Sequence, residues 1–158
     1  MKQNNQWTID VGGMSKYELL MQLTEKKIAM NAYATLLFMD DRFQTSSKLE
    51  RAEIVELSVQ TLGLKSPALF DEITDKAMDL GLELCPMELA PHFRLQYIEP
   101  DEGSILTVAS QKLSNDEHFP NGFYLRHYGG FHWLRGYRST SDWLWELQDR
   151  FVFMSGYE

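Results

Sequence analysis

NGFYLRHYGGFHWLRGYR, residues 121–138, decides how this chain folds. Adjacent glycines at 129 and 130 separate two runs in which rings, aliphatics and polar residues alternate, the pattern of a β-hairpin. Both central residues of a type I′ turn need φ > 0, which glycine accepts without a steric penalty. A two-residue turn there sets the register, because residues whose numbers sum to 259 then lie opposite each other. Tyr128 faces Phe131, His127 faces His132, Arg126 faces Trp133 and Leu125 faces Leu134.

Side chains alternate across a strand, so the hairpin has two unlike faces. Phe123, Leu125 and Leu134 share one with His127 and His132, and read as a core face with two histidines near the turn. Tyr124, Arg126, Tyr128, Phe131, Trp133, Arg135 and Tyr137 share the other, where Arg126 is expected to stack on Trp133 across the strands. Two readings of this second face stand side by side. In one it binds a planar anion or single-stranded nucleic acid by stacking and charge. In the other its rings pack under helices and its arginines pair with acidic helix faces.

Charge sharpens the choice. The chain carries a net −8, yet residues 118–141 hold Arg126, Arg135 and Arg138 and no Asp or Glu, a local +3 that leaves −11 elsewhere. Duplex DNA and membrane surfaces are bound chiefly through Lys and Arg, so an acidic chain is a poor candidate for either. The hairpin is the one place where an anion would dock. Tyr124, Arg126, Trp133, Arg135, Tyr137 and Arg138 are the candidate binding residues.

Working outward, the 158 residues are 44 % hydrophobic and 13 % aromatic, enough for one folded domain with a real core. Residues 1–13 are polar and end in two glycines, and read as a tail or short edge segment. Ser15 and Glu18 match a capping box, with a helix expected to about Ile28 and Leu19, Leu20 and Leu23 on its buried side. Asn31 is a second N-cap, for a short helix over 32–39, and the two helices are expected to pair. Residues 53–60 alternate with period two and are read as a strand, although a helix also fits their spacing. Ser66 and Pro67 look like the start of a helix over 67–80, with Phe70, Ile73, Ala77 and Leu80 inward, four acids outward and Gly81 as its stop.

From residue 93 the pattern turns to strands. Residues 93–98 and 105–110 flank a turn-rich 99–103 and suggest another hairpin, and 150–154 reads as a final strand with Phe151 and Phe153 on one face. The expectation is an α+β domain over 1–158: a polar tail (1–13), a mainly helical part (14–82) and a β-rich part (83–158), with the N-terminal helices packed on one face of a mostly antiparallel C-terminal sheet.

Other chemistry has weaker support. His127 and His132 would both face a Zn²⁺ ion, but no HExxH, H-x-E or CxxC spacing supplies further ligands. Cys85 follows a helix C-terminus, which raises rather than lowers a thiol pKa, and reads as a buried structural residue. The acids of 99–103 lack calcium-loop spacing and read as a solvated turn. A helix-turn-helix over 53–82 would put an acidic helix where DNA needs a basic one. One cysteine, no apolar leader in MKQNNQWTID and no long apolar run point to a cytoplasmic protein.

The segments LGLELCP (80–86), LQY (95–97), WLRGY (133–137) and RFVF (150–153) resemble a family of small bacterial proteins with no assigned activity. The resemblance spans about residues 50–154 and implies a self-contained bacterial domain, with no functional residue carried over. The reading favoured is a non-enzymatic binding or protein-interaction module with no cofactor, whose partner is a protein or a small anionic ligand. A homodimer is compatible with so many aromatics. The alternatives are a metal-assisted hydrolase centred on His127 and His132, and a weak single-stranded nucleic-acid binder.

Overall fold

The hairpin forms the fifth and sixth strands of a mixed seven-stranded sheet in the computed structural model, which describes residues 5–158. In chain order the elements are β1 (Gln6–Val11), α1 (Lys16–Glu25), β2 (Ala29–Met30), α2 (Ala32–Met39), β3 (Glu50–Ser58), β4 (Ala68–Leu69), α3 (Phe70–Asp79), α4 (Leu89–Gln96), β5 (Ile105–Val108), β6 (Gly122–Tyr128), β7 (Phe131–Tyr137), β8 (Leu144–Trp145) and β9 (Arg150–Tyr157). Strand order is β1-β3-β9-β5-β6-β7-β2, with β4 and β8 forming a separate two-stranded ribbon. Neighbours run antiparallel except β5 beside β9 and β2 beside β7. The chain is thus α+β, but its sheet draws on both halves of the sequence.

Two apolar layers sandwich this sheet. On one face Leu19 and Leu23 of α1, Leu37 and Phe38 of α2, and Leu89 and Phe93 of α4 pack on Phe123, Leu125, Leu134 and Val152. On the other, Ile73 and Ala77 of α3 pack with Trp145 on Val55, Leu57, Phe151 and Phe153. Helices on a single face is therefore too simple. Register shows why: β3 and β9 bury side chains in both directions, as central strands do.

Local chemistry explains the helix ends that the sequence announced. Ser15 Oγ accepts the Glu18 N–H (3.1 Å) and Asn31 Oδ1 accepts the Ala34 N–H (2.9 Å), which sets the starts of α1 and α2. α1 ends at Glu25, short of Ile28, because Lys27 turns left-handed (φ +58°) and the Ile28 N–H returns to Leu23 O. Gly81 (φ +83°) closes α3 with Gly81 N–H on Met78 O and Leu82 N–H on Ala77 O, a Schellman pair.

Of the two readings of residues 1–13, a tail or a short edge segment, the described part takes the second: β1 is an edge strand on β3, and residues 1–4 lie outside the described region. Further expectations are met by a different arrangement. The helix expected from 67 starts at Phe70, because Ala68 and Leu69 pair with Trp145 and Leu144, and Glu72 rather than Ser66 takes the first free N–H, that of Leu69 (3.0 Å). Leu80, assigned to its buried stripe, is exposed. Residues 93–98 are not a strand but mostly the end of α4; Pro91 sits in its first turn, where no N–H is needed, and the helix is buried almost all round, so periodicity carries no sign of it. Consequently β5 has no hairpin partner upstream and pairs with β6 and β9.

α4 also settles the fate of Glu99, which is not in a solvated turn. Arg94 and Glu99 form a buried ion pair; Arg94 Nη1 further donates to Trp133 O (3.2 Å) and Nη2 to Tyr97 O (2.7 Å). A second stripe of α4 satisfies the backbone at the sheet edge. Glu88 accepts the Ser46 N–H, His92 Nε2 accepts the Gly12 N–H (3.1 Å), and the Gln96 amide pairs with both the N–H and C=O of Asp10 (2.8 and 2.7 Å). Gln96 thereby blunts an edge that would otherwise accept another strand.

Two outcomes follow for stability. Glu99→Ala leaves a buried guanidinium uncompensated and is expected to cost about 3–5 kcal/mol in a denaturant melt. Burial lowers the His92 pKa, and its neutral Nε2 is the acceptor that Gly12 uses. The native state then binds fewer protons than the unfolded chain, so this contribution is complete above about pH 6.5 and is lost as pH falls through the lowered native value. His92→Gln, which keeps an acceptor, should flatten the loss of stability as pH falls below about 6.5, a loss that the raised pKa of Glu88 opposes as its carboxylate takes up a proton.

Candidate functional site

The hairpin register is the one its glycines dictate. All seven pairs from Gly122↔Tyr137 to Tyr128↔Phe131 sum to 259, and Gly129 and Gly130 have φ of +64° and +79°. Phe123, Leu125 and Leu134 are fully buried beneath α2 and α4. Gly136 is where α2 approaches most closely: a Cβ there would lie 2.6 Å from Tyr33 C. Asn31 fills the junction, giving its Nδ2 proton to Gly136 O and accepting the Gly136 N–H at Oδ1. Gly136→Ala is expected to destabilise the fold by about 2–3 kcal/mol or more through overpacking, read as a lower midpoint in urea.

The opposite face is open. Thr107 lies beside both Tyr124 and Phe151, so Tyr124 and Arg126 share the sheet face on which α3 sits. α3 and the β4–β8 ribbon lie over β3 and β9 and reach as far as Trp145, whose ring meets Tyr137 edge-on at 5.8 Å. Beyond Trp145 no helix among the described residues covers the β6–β7 half. Tyr128 and Phe131 are more than half exposed, and Tyr124, Arg126, Trp133 and Arg135 are half-buried.

Guanidinium groups and rings alternate across this surface. The Arg135 guanidinium lies over Trp133 (4.8 Å to the centroid) and beside Tyr124, whose hydroxyl accepts its Nε–H at 2.7 Å. Arg126 stacks on Tyr128 (4.4 Å), its neighbour two positions along the same strand, and not on Trp133 as its cross-strand position suggests. Trp133 is occupied by Arg135 instead, and its indole N–H donates to Tyr128 O. Among the described residues neither Arg126 nor Arg135 forms an ion pair. The alternative in which helices cover the rings and acids neutralise the arginines does not describe this face.

Not every candidate joins the group. Tyr137 packs between Tyr124 and Trp145, and burial raises the pKa of its phenol, so it acts as a wall of the surface. Arg138 lies at the strand end, exposed, with Nη1 on Glu117 O. Tyr128 and Phe131 lie on the same face as the candidate binding residues, where the 259 register already put them. Ile105 of β5, opposite Arg126, and Trp145 of β8 border the surface as well; the sequence gives no signal for either, since both depend on long-range pairing.

No family model, curated protein or solved structure matches the chain. Its chemistry must be read from the site itself.

The histidine pair sits on the core side of the hairpin tip. The two rings stack at 4.1 Å, His132 Nε2 bonds to Glu99 O (2.9 Å), and His127 Nε2 lies 3.2 Å from Glu102 Oε2. Glu102 Oε1 also accepts the Gly129 N–H, so this carboxylate ties the 99–103 turn to the hairpin turn. Among the described residues no group of three or more His, Cys, Asp or Glu side chains is gathered to hold a metal ion. Cys85 is buried with its pKa raised by burial, its Sγ near Val152 O, which is poor placement for a nucleophile. No described helix is long and apolar enough to cross a membrane.

Proposed function

We propose that this chain is a cytoplasmic, non-enzymatic interaction module whose contact surface is the β6–β7 face, and that its partner is a protein presenting negative charge. The observation that carries this reading is an uncovered half-sheet of rings and unpaired arginines in an otherwise acidic chain. Tyr124, Arg126, Tyr128, Phe131, Trp133 and Arg135 are the residue types over-represented where proteins bind one another, and the hairpin contains no Lys, Asp or Glu. The stacked guanidiniums are held by their rings before a partner arrives, which lowers the ordering cost of binding.

Shape supports a macromolecule over a small ligand. Small molecules take concave, largely enclosed sites. The cleft beside this face, between Ile105, Trp145 and Arg150, is open and about 300 Å³.

The double variant Arg126→Ala/Arg135→Ala tests the reading. Retention of binding partners from an extract of the source cells is expected to be lost, with a binding cost of at least about 2 kcal/mol for a central arginine. Thermal stability should change by about 1 kcal/mol or less, the scale of an exposed cation–π contact. A variant that unfolds readily, or that keeps every partner, would show the face to be structural.

A further inference from the structure

Building on the reading of the β6–β7 face as a contact surface, we infer that its partner is a second copy of this chain, whose acidic α3 docks on it. α3 covers the β3–β9 half of the same sheet face and turns Asp71, Glu72, Asp75 and Asp79 to solvent. Among the described residues none of these four forms an ion pair, and neither do Arg126, Arg135 or Arg138. One chain therefore presents an unneutralised acidic patch and an unneutralised basic patch side by side on one face.

That arrangement is self-complementary. Two copies laid face to face about a two-fold axis running along the strands set each α3 over the other's β6–β7 half. The same contact is made twice, so the assembly closes at two copies instead of propagating. Apolar surface matches in the same sense. Met78 and Leu80, at the end of α3, are 53 % and 55 % exposed, and Tyr128 and Phe131 are 56 % and 53 % exposed on the hairpin. Leu80 follows the spacing of the helix's buried stripe, and a second copy supplies the burial that its own chain does not.

Charge reversal in each patch tests the docking. Arg126→Glu/Arg135→Glu sets acid against acid at both contacts, and Asp75→Lys/Asp79→Lys sets base against base. Sedimentation of the full chain across about 1 to 100 µM should find wild type dimerising and each variant at least about tenfold weaker. Circular-dichroism melts establish that both variants are folded; the lysines fall away from the N-terminus of α3, where they would oppose the helix dipole. An equimolar mixture of the two variants should restore the dimer, because in the mixed pair one contact is native and the other has its charges exchanged.

A wild type that stays monomeric, a dimer indifferent to either reversal, or a mixture that fails to reassociate would each overturn the inference. If the chain is monomeric while Arg126→Ala/Arg135→Ala still loses a different protein partner, the second copy is excluded and the contact-surface reading stands.

Discussion

The buried ion pair of Arg94 and Glu99 is the interaction on which the rest depends. It joins α4 and the turn directly after it to β7, through Trp133 O, 39 residues beyond Arg94. Removing two charges from water is costly, and here both terminal guanidinium nitrogens donate to carboxylate and backbone oxygens, leaving Arg94 Nε as the one guanidinium nitrogen without a partner among the described residues. Tyr97 O, Trp133 O and both Glu99 oxygens receive the guanidinium, and the Glu99 carbonyl in turn binds His132. The core side of the hairpin is thus pinned by polar bonds of fixed direction, in addition to its apolar contacts.

Pinning one face leaves the other free to differ. α1, α2 and α4 all lie on the face of Phe123 and Leu134, while among the described residues the opposite face has a single helix for a seven-stranded sheet. Coverage runs out at Trp145, and the residues beyond it are amphipathic: wide rings with polar edges, and guanidiniums that spread over them. Such side chains tolerate water yet lose little on leaving it, which suits a surface exposed in one state and covered in another.

What the sequence made legible was local. The Gly129-Gly130 turn, the Ser15 and Asn31 caps and the Gly81 stop each involve residues within a few positions, and each gives the observed geometry. Residues 93–98 misled because both faces of α4 are buried, so Arg94 sits where an apolar residue would normally reveal the period. Ser66-Pro67 misled because pairing of Ala68 with Trp145 outweighs a good local start signal. In the candidate site, register gave which residues share a face, but stacking partners were decided by rotamer: Arg135 lies over Trp133, and Arg126 over Tyr128. Whether that face was open depended on where α3 ends, which no local pattern encodes.

The position of β9 has a consequence for synthesis. Residues 150–157 supply a strand that lies between β3 and β5, third of seven in the sheet. A chain emerging from the ribosome can form β3 and the β5–β6–β7 group early, but these remain two sheets with facing bare edges until β9 is released. β3 waits longest, paired with β1 on one side but with its other edge, along Ile54, Val55 and Leu57, bare and of the kind that recruits other chains. Pairing across roughly a hundred residues is slow compared with hairpin closure. The interval before β9 arrives is therefore when the bare β3 edge is most exposed to misassembly.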